Sequence, residues 1–245
     1  MATTAGAERP AAPFFASWKG ALAAALLGAL LGAGAMFALS GPIVRDYLLT
    51  HPELVPEAMQ RLEANEAAKA IEANRAAIET PFAGAWAGAK DGDVTLVEFF
   101  DYACPYCRRS NADVDRLLAE DRKLKMVWRE WPVLGPDSEA AAQASLAAAA
   151  AGKFKPFHDT LFAAGRPGPD TIAKARQAAG LPAEDAAQAG PDGASQSELE
   201  RNYRLANALK ASGTPTFVVG DRILQGAVGY EALKAAIADA RARKG

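Results

Sequence analysis

The sequence predicts an α/β fold in which a βαβ half is joined to a ββα half. An apolar, β-rich run at Val94–Phe100 is followed directly by a helical pattern. A second strand-like run occupies Leu124–Trp131, and a third begins straight after Pro215 and turns into a hairpin. With a terminal helix at Tyr230–Arg243, these elements predict a layered α/β domain.

A helical insertion is expected between the two halves. Loop signals rich in Pro and Gly separate its segments. Four stretches have a helical pattern: Ser138–Ala151, Lys153–Ala164, Asp170–Ala179 and Ser195–Ser212. Ser138 is the expected N-cap of the first of them.

The first part of the chain has the pattern of a targeting or anchoring segment. Ala21–Leu39 carries no charged residue and is long enough to cross a hydrocarbon core of about 30 Å as a helix. Arg9 and Lys19 precede it, which favours a cytoplasmic N-terminus and an exported C-terminal body. Two interpretations stay open: an uncleaved signal anchor, which the length of the run favours, and a cleaved signal peptide.

A polar helical segment follows the leader. Pro52–Glu79 is rich in the helix formers Ala, Glu, Gln and Arg, and Thr50 is its candidate N-cap. A thin apolar stripe that includes Val55 and Met59 suits self-association as well as packing on the chain's own domain. Ala83–Gly92 has the composition of a small-residue linker.

These patterns divide the chain into three parts. Residues 1–42 form the cytoplasmic tail and the signal anchor or signal peptide. Residues 43–90 form the helical segment and linker, with a possible role in oligomerisation. Residues 91–245 form the catalytic domain.

Composition excludes several classes of protein. The formal net charge is −2, so no bulk positive field indicates a nucleic-acid partner. The chain has 2 cysteines, which excludes a Cys₄ zinc site. No further soft ligands lie near them in sequence, and this disfavours a metal site.

The motif Cys104-Pro105-Tyr106-Cys107 carries the chemistry. It opens a helix immediately after a strand, where unpaired N–H groups and a partial positive charge favour a thiolate on Cys104. Pro105 suits a first helical turn. Cys107 is one turn further on, where it can attack a mixed disulfide on Cys104. A structural disulfide closing so small a loop would stabilise the fold little, so a redox role is favoured.

From Val94 to its end, the sequence resembles the DsbA-like branch of the thioredoxin superfamily. The strand–CPYC–helix unit, the Thr214-Pro215 pair before the hairpin and the helical insertion carry the resemblance. It implies a thioredoxin-like fold with a helical insertion, and no cofactor. Residues 43–62 are similar to the N-terminal segment of the ScsC-like, copper-sensitivity-suppressor group, in which this segment can drive trimerisation and some members are disulfide isomerases.

The resemblance also implies roles for individual residues. Cys104 would be the nucleophile and Cys107 the resolving thiol. Pro215, if its peptide bond is cis, would bring its loop against Cys104, and Thr214 would offer backbone hydrogen bonds to a substrate strand; a trans proline at a strand start is the alternative. Glu98 would relay a proton to or from Cys107, or would simply point to water.

One residue departs from the family pattern. Strongly oxidising members carry His at the position of Tyr106, which brings no positive charge to the thiolate. We therefore expect a less depressed pKa for Cys104, and a less oxidising couple, than in those members.

The predicted function is that of an exported, periplasmic protein thiol–disulfide oxidoreductase that forms, isomerises or reduces disulfides. The resemblance implies cysteine-containing exported proteins and a membrane redox partner, DsbB-like or ScsB/DsbD-like, as partners. A homo-oligomer through residues 43–80 is possible, and residues 21–39 would anchor the chain in the inner membrane unless they are cleaved. The alternative function is copper or metal handling through the two thiolates.

Overall fold

The computed structural model describes residues 18–182 and 193–244, without the side chains of residues 35 and 38–40. The chain divides into two compact units, Met1–Arg61 and Leu62–Gly245. Helix α1 (Trp18–Thr50) lies in the first unit, and helix α2 (Leu54–Glu79) begins there and ends in the second. The remaining elements belong to the second unit, the catalytic body.

The apolar run Ala21–Leu39 lies within α1. No helix among the described residues is both long enough and apolar enough to cross a membrane. The predicted membrane anchor therefore finds no support in the structure, and the first seventeen residues of the predicted tail lie outside the described residues.

The predicted cap of the polar helix is wrong. The Thr50 hydroxyl donates to the carbonyl oxygens of Asp46 and Tyr47, at 2.9 and 3.0 Å, so its hydrogen bonds are made within the last turn of α1. Helix α2 begins only at Leu54.

A five-stranded sheet forms the centre of the catalytic body. Its strands are β1 (Trp86–Gly88), β2 (Val94–Phe100), β3 (Leu124–Glu130), β4 (Thr216–Val219) and β5 (Arg222–Gln225), in the order β1-β3-β2-β4-β5. Strands β2 and β3 are parallel, and the other pairs are antiparallel. This confirms the predicted thioredoxin-like α/β fold. Strand β1 is new, because it lies within the stretch predicted as a linker.

Six helices complete the catalytic body among its described residues: α3 (Pro105–Glu120), α4 (Pro136–Ala150), α5 (Phe154–Ala164), α6 (Pro169–Ala178), α7 (Ala194–Ala208) and α8 (Tyr230–Ala242). The predicted insertion corresponds to α4–α7. Ser138 is not the cap of α4: Gly135 holds that position, and Ser138 is buried inside the first turn.

Side chains alternate between the two faces of the sheet. On the first face, Phe100 and Trp128 pack in one core with residues of α3, α8 and α4–α6. On the second face, Val127 packs with residues of α7 and with the part of α2 that lies in the catalytic body. The same alternation places Glu98 and Glu130 on the first face, together with the two cysteines.

Arg129 points to the second face and is 1% exposed. Its guanidinium binds an acid and an amide on α7 and three carbonyls at the end of α2. The contacts are Nη1 to Glu198 Oε1 at 2.7 Å and to Asn202 Oδ1 at 3.0 Å, Nε to Ile78 O at 3.0 Å, and Nη2 to the carbonyls of Ala77 and Thr80. Because a helix end leaves its last carbonyls unpaired, Arg129 acts as the C-terminal cap of α2.

Candidate active site

Cys104 occupies the N-cap position of α3, and Pro105 follows in the first turn. The backbone of Cys104 is extended, with φ −77° and ψ 117°, as expected for an N-cap residue. Its amide donates to the carbonyl of Asp101 at 3.0 Å, which closes the turn between β2 and the helix. The thiol therefore sits where the N–H groups of α3 are unpaired.

The environment lowers the pKa of Cys104 to about 5. The main cause is a hydrogen bond from the Cys107 thiol, which favours the charged form of Cys104 against the opposing effect of burial. Thr214 and the backbone N–H groups of Tyr106 and Cys107 lower it further. Cys104 is therefore a thiolate at neutral pH.

Cys107 has the opposite environment. It is fully buried, one turn along α3 from Cys104. Burial raises its pKa far above the ordinary range, and the neighbouring Cys104 and Glu98 add to this rise. Both cysteines are free thiols in this structure. One sulfur is thus prepared to attack, and the other keeps its proton until a reaction removes it.

The loop before β4 lies against Cys104. The Thr214–Pro215 peptide bond is cis. The Cys104 sulfur lies 3.2 Å from the carbonyl oxygen of Thr214, to which it donates a hydrogen bond when it is protonated. The structure therefore brings together the residues that the sequence analysis places around the nucleophile, although they are more than a hundred residues apart.

Asp101 organises the backbone around the motif and was not predicted. Its buried carboxylate accepts three backbone N–H bonds: from Ala103 at 2.7 Å, Val133 at 2.8 Å and Leu134 at 3.0 Å. The turn that carries Cys104 is thereby tied to the loop that follows β3. The exposed side chains of Val133 and Leu134 lie on that loop.

Glu98 lies beneath the cysteines and is 0% exposed, so the alternative of a strand glutamate that points to water is wrong. Its carboxylate oxygens have no hydrogen-bond partner among the described residues. Burial raises its pKa to about 8; the charge of Cys104 adds to this, while the nearby Trp128 indole opposes it. The carboxyl is therefore largely protonated at neutral pH.

Glu130 is a second buried carboxyl on the same sheet face, and sequence reasoning missed it. Burial raises its pKa well above the ordinary value, and the like charges of Asp101 and Glu98 contribute. The nearby Ser145 hydroxyl opposes this rise in pKa. That hydroxyl forms a hydrogen bond of 2.8 Å with the Tyr102 hydroxyl, and no hydrogen bond of normal geometry joins it to Glu130.

Tyr106 is 54% exposed, and the Arg109 guanidinium lies 5.1 Å from its ring centroid. Replacing Tyr106 with His is expected to lower the pKa of Cys104 by about half a unit to one unit, because an imidazolium would then face the thiolate. The measurement is the ultraviolet absorbance of the thiolate against pH. Tyr106→Phe is the control and should keep a midpoint of about 5. Equal midpoints for the His and Phe variants would contradict the prediction.

A helix-capping thiol, a buried partner thiol and a buried acid on this fold define a thiol–disulfide oxidoreductase. Residues 95–238 match the family described as DSBA-like thioredoxin domain. This is more than half of the sequence, and the chain belongs to that family. Residues 41–69 match the family described as copper resistance protein ScsC N-terminal domain.

Solved structures of similar fold agree with this assignment. A thioredoxin-like oxidoreductase from Silicibacter pomeroyi is 38% identical, covers 69% of this chain and 96% of its own, and has a TM-score of 0.62. A linker-deletion variant of ScsC from Proteus mirabilis is 27% identical, with coverages of 85% and 96% and a TM-score of 0.68. A periplasmic thioredoxin-like protein from Salmonella enterica serovar Typhimurium is 27% identical, with coverages of 69% and 95% and a TM-score of 0.62.

Among curated proteins, a similar sequence occurs within a Na(+)/H(+) antiporter NhaA of Salinispora tropica. The identity is 32% over 156 residues, which cover 62% of this chain. The chain spans 24% of the length of that relative.

Proposed function

We propose that this chain is an exported enzyme that exchanges disulfides with other proteins through Cys104 and Cys107. The observation that carries the proposal is the contrast between the two thiols. Cys104 is a helix-capping sulfur with a pKa of about 5, and Cys107 is a buried sulfur with a strongly raised pKa. Attack and resolution need this division of roles.

In the reductive direction, the Cys104 thiolate attacks a substrate disulfide. A Cys104–substrate bond forms, and the other substrate sulfur leaves as a thiolate. Cys107 then attacks Cys104; the mixed disulfide breaks, the Cys104–Cys107 disulfide forms, and the second substrate sulfur is released. The ionised form of Glu98, which is the minor form at neutral pH, receives the proton that Cys107 loses. The oxidative direction is the exact reverse of these steps, with Glu98 as the proton donor to Cys107.

The test is the redox equilibrium of the full chain in glutathione buffers, with free thiols trapped and counted by mass. We expect a single two-electron couple between Cys104 and Cys107. A couple near the oxidising end of the scale indicates disulfide formation or isomerisation, and a couple near that of thioredoxin indicates a reductant. Absence of the disulfide at every poise would overturn the proposal.

Export to the periplasm is supported by the uncharged run Ala21–Leu39 and by the periplasmic relative from Salmonella. The mass of the exported chain distinguishes a retained anchor from a cleaved signal peptide. Substrates would then be cysteine-containing exported proteins. A membrane protein of the DsbB-like or ScsB/DsbD-like type would reoxidise or reduce the Cys104–Cys107 pair after each reaction.

Self-association through residues 43–80 is part of the proposal. Val55 and Met59 are exposed on α2, at 48% and 57%, and they offer an apolar stripe to a second copy. Light scattering of the full chain over a range of concentrations measures the oligomeric state; a monomer throughout would remove this part of the proposal.

Copper handling is the second candidate, favoured by the match of residues 41–69 to the ScsC N-terminal family. In the parts of the chain that the structure describes, no group of three or more His, Cys, Asp or Glu side chains is arranged to hold a metal ion. Stoichiometric Cu(I) binding by thiols that never form a disulfide would favour this function over exchange.

A further inference from the structure

A buried polar cluster lies on the first face of the sheet, beneath the cysteines. Its members are Glu98, Trp128, Glu130 and His158, each with a buried polar atom that has no hydrogen bond of normal geometry among the described residues. Protein interiors pair such atoms with protein groups or with ordered water. Several such donors and acceptors at one place therefore indicate a buried polar cluster with a functional role.

The strand register brings the residues of this buried polar cluster together. Glu98 is paired with Trp128, and Phe100 with Glu130, so the four residues form a square on one sheet face. The imidazole of His158, on α5, covers this square: its ring centroid lies 5.2 Å from that of Trp128 and 5.4 Å from that of Phe100. His158 is thus the polar side chain that the insertion packs against this part of the sheet.

Exchange at Cys107 raises a problem of proton access. Cys107 and Glu98 are both 0% exposed. A proton that Glu98 gives to Cys107 must be replaced from water, and neither group reaches water directly. The reaction therefore needs an inner route between Glu98 and the surface.

His158 reaches the surface on its other side. Its Nδ1 lies 3.2 Å from Oδ1 of Asp159, and its Nε2 is buried and unpartnered. The Asp159 side chain is 50% exposed and binds Lys155 Nζ at 2.6 Å. The imidazole thus has one nitrogen on a solvated carboxylate and the other in the protein interior.

The charges around the His158 ring favour its neutral form, which can pass protons on. Burial lowers the pKa of His158, and the Asp159 carboxylate opposes that change, while Lys155 on the same helix and Asp115 on α3 act more weakly. A neutral imidazole accepts a proton at one nitrogen and releases one at the other. Tyr102, whose ring centroid lies 5.8 Å from that of His158, interacts with the charges of Glu98, Glu130 and Asp159, and its hydroxyl is hydrogen-bonded to that of Ser145.

We propose that His158 and Asp159 form the route by which protons pass between solvent and Glu98 during disulfide exchange. The inference rests on the proposed function. When a substrate thiolate attacks Cys104, the Cys104–Cys107 bond breaks and the electron pair stays on Cys107. Glu98 gives Cys107 a proton and regains one from solvent at the Asp159 carboxylate, through His158 and the buried polar cluster. The reverse reaction sends the proton outward, and no further oxidant or reductant is needed.

His158 acts on the reaction through Glu98, so it is a positioning residue and must be tested by a proton-sensitive readout. The experiment is stopped-flow reduction of the Cys104–Cys107 disulfide by glutathione, in light and heavy water, over a range of pH. We expect His158→Phe, which keeps an aromatic ring in the cluster, to slow the step about tenfold. Asp159→Asn should slow it several-fold, with a larger solvent isotope effect.

The matched control is Asp115→Asn. Asp115 also binds Lys155, at 3.2 Å, but it acts on His158 only through a weak charge interaction, whereas Asp159 is hydrogen-bonded to the ring, so this variant should keep a nearly normal rate. The equilibrium constant with glutathione should be unchanged in Asp159→Asn, since a proton route changes a rate and not an equilibrium. A slower rate with a shifted equilibrium constant would overturn the route.

Glu98→Gln separates failure of the route from failure of the proposed function. If Glu98→Gln slows exchange while His158→Phe and Asp159→Asn keep the normal rate and isotope effect, the route is wrong and the enzyme proposal stands. If Glu98→Gln also keeps the normal rate, the role of Glu98 in the proposed function fails. Should His158→Phe not fold, Asp159→Asn alone decides.

Discussion

Replacing Arg129 with Met is expected to lower the free energy of unfolding by about 3–5 kcal/mol. The guanidinium of Arg129 is the partner of Glu198, whose side chain is 3% exposed, at 2.7 Å. Without Arg129, this buried carboxylate would keep only the solvent-exposed Arg201 as its charged partner, and three carbonyls at the end of α2 would lose their donor. Urea unfolding followed by tryptophan fluorescence measures the loss.

Arg201 provides the matched control. It binds the other oxygen of Glu198 at 3.3 Å, but its side chain is 56% exposed. Arg201→Met should therefore cost no more than about 1 kcal/mol. Adding Glu198→Leu to Arg129→Met should restore part of the stability, because the orphaned charge is then removed. Similar losses for Arg129→Met and Arg201→Met would contradict the assigned role of Arg129.

Replacing Glu98 with Gln is expected to make the protein more stable and slower at once. In the folded chain the pKa of Glu98 is about 8, against an ordinary value of 4.5. The raised pKa means that the unfolded chain binds fewer protons between these two values, so stability falls as the pH rises through this window. A Gln side chain does not titrate, so the free energy of unfolding of the variant does not fall in this pH window for this reason.

The gain from Glu98→Gln should be absent at about pH 4 and reach about 3 kcal/mol at pH 7. Urea unfolding at both pH values measures it. Glu200→Gln, at an exposed glutamate of α7, is the control and should change stability little at either pH. Exchange should slow about a hundredfold in Glu98→Gln, because the proton donor to Cys107 is lost. If the free energies of unfolding of Glu98→Gln and of the natural chain differ by the same amount at every pH, the argument from the burial of Glu98 is wrong.

Much of the fold was predictable because its signals are local. The strand at Val94–Phe100, the helix opened by Cys104-Pro105 and the strand after Pro215 each occupy one continuous stretch of sequence. Strand β1 was not predictable: it has three residues, and it exists only because Trp86–Gly88 pairs with β3 across a distant part of the chain. Its Gly and Ala residues have no strand pattern of their own.

The residues of the candidate site also fall into those that have a local sequence signal and those that depend on the folded structure. Cys104 and Cys107 follow from a motif, and the placement of Thr214 and Glu98 follows from a family resemblance. The roles of Asp101 and His158 depend on which backbone amides and rings come near them after folding. A buried histidine on a helix such as α5 has no sequence signal that separates it from an ordinary core residue.

Arg129 and Glu130 are neighbours in β3 and point to opposite faces of the sheet. Arg129 caps the end of α2, and Glu130 belongs to the buried polar cluster beneath the thiols. Insertion or deletion of a single residue before them would exchange the faces, with a guanidinium beneath the cysteines and a carboxyl against helix carbonyls. The register of β3 is therefore fixed by contacts on both faces of the sheet. Insertions and deletions within the family are expected in the surface loops, away from residues 128–130.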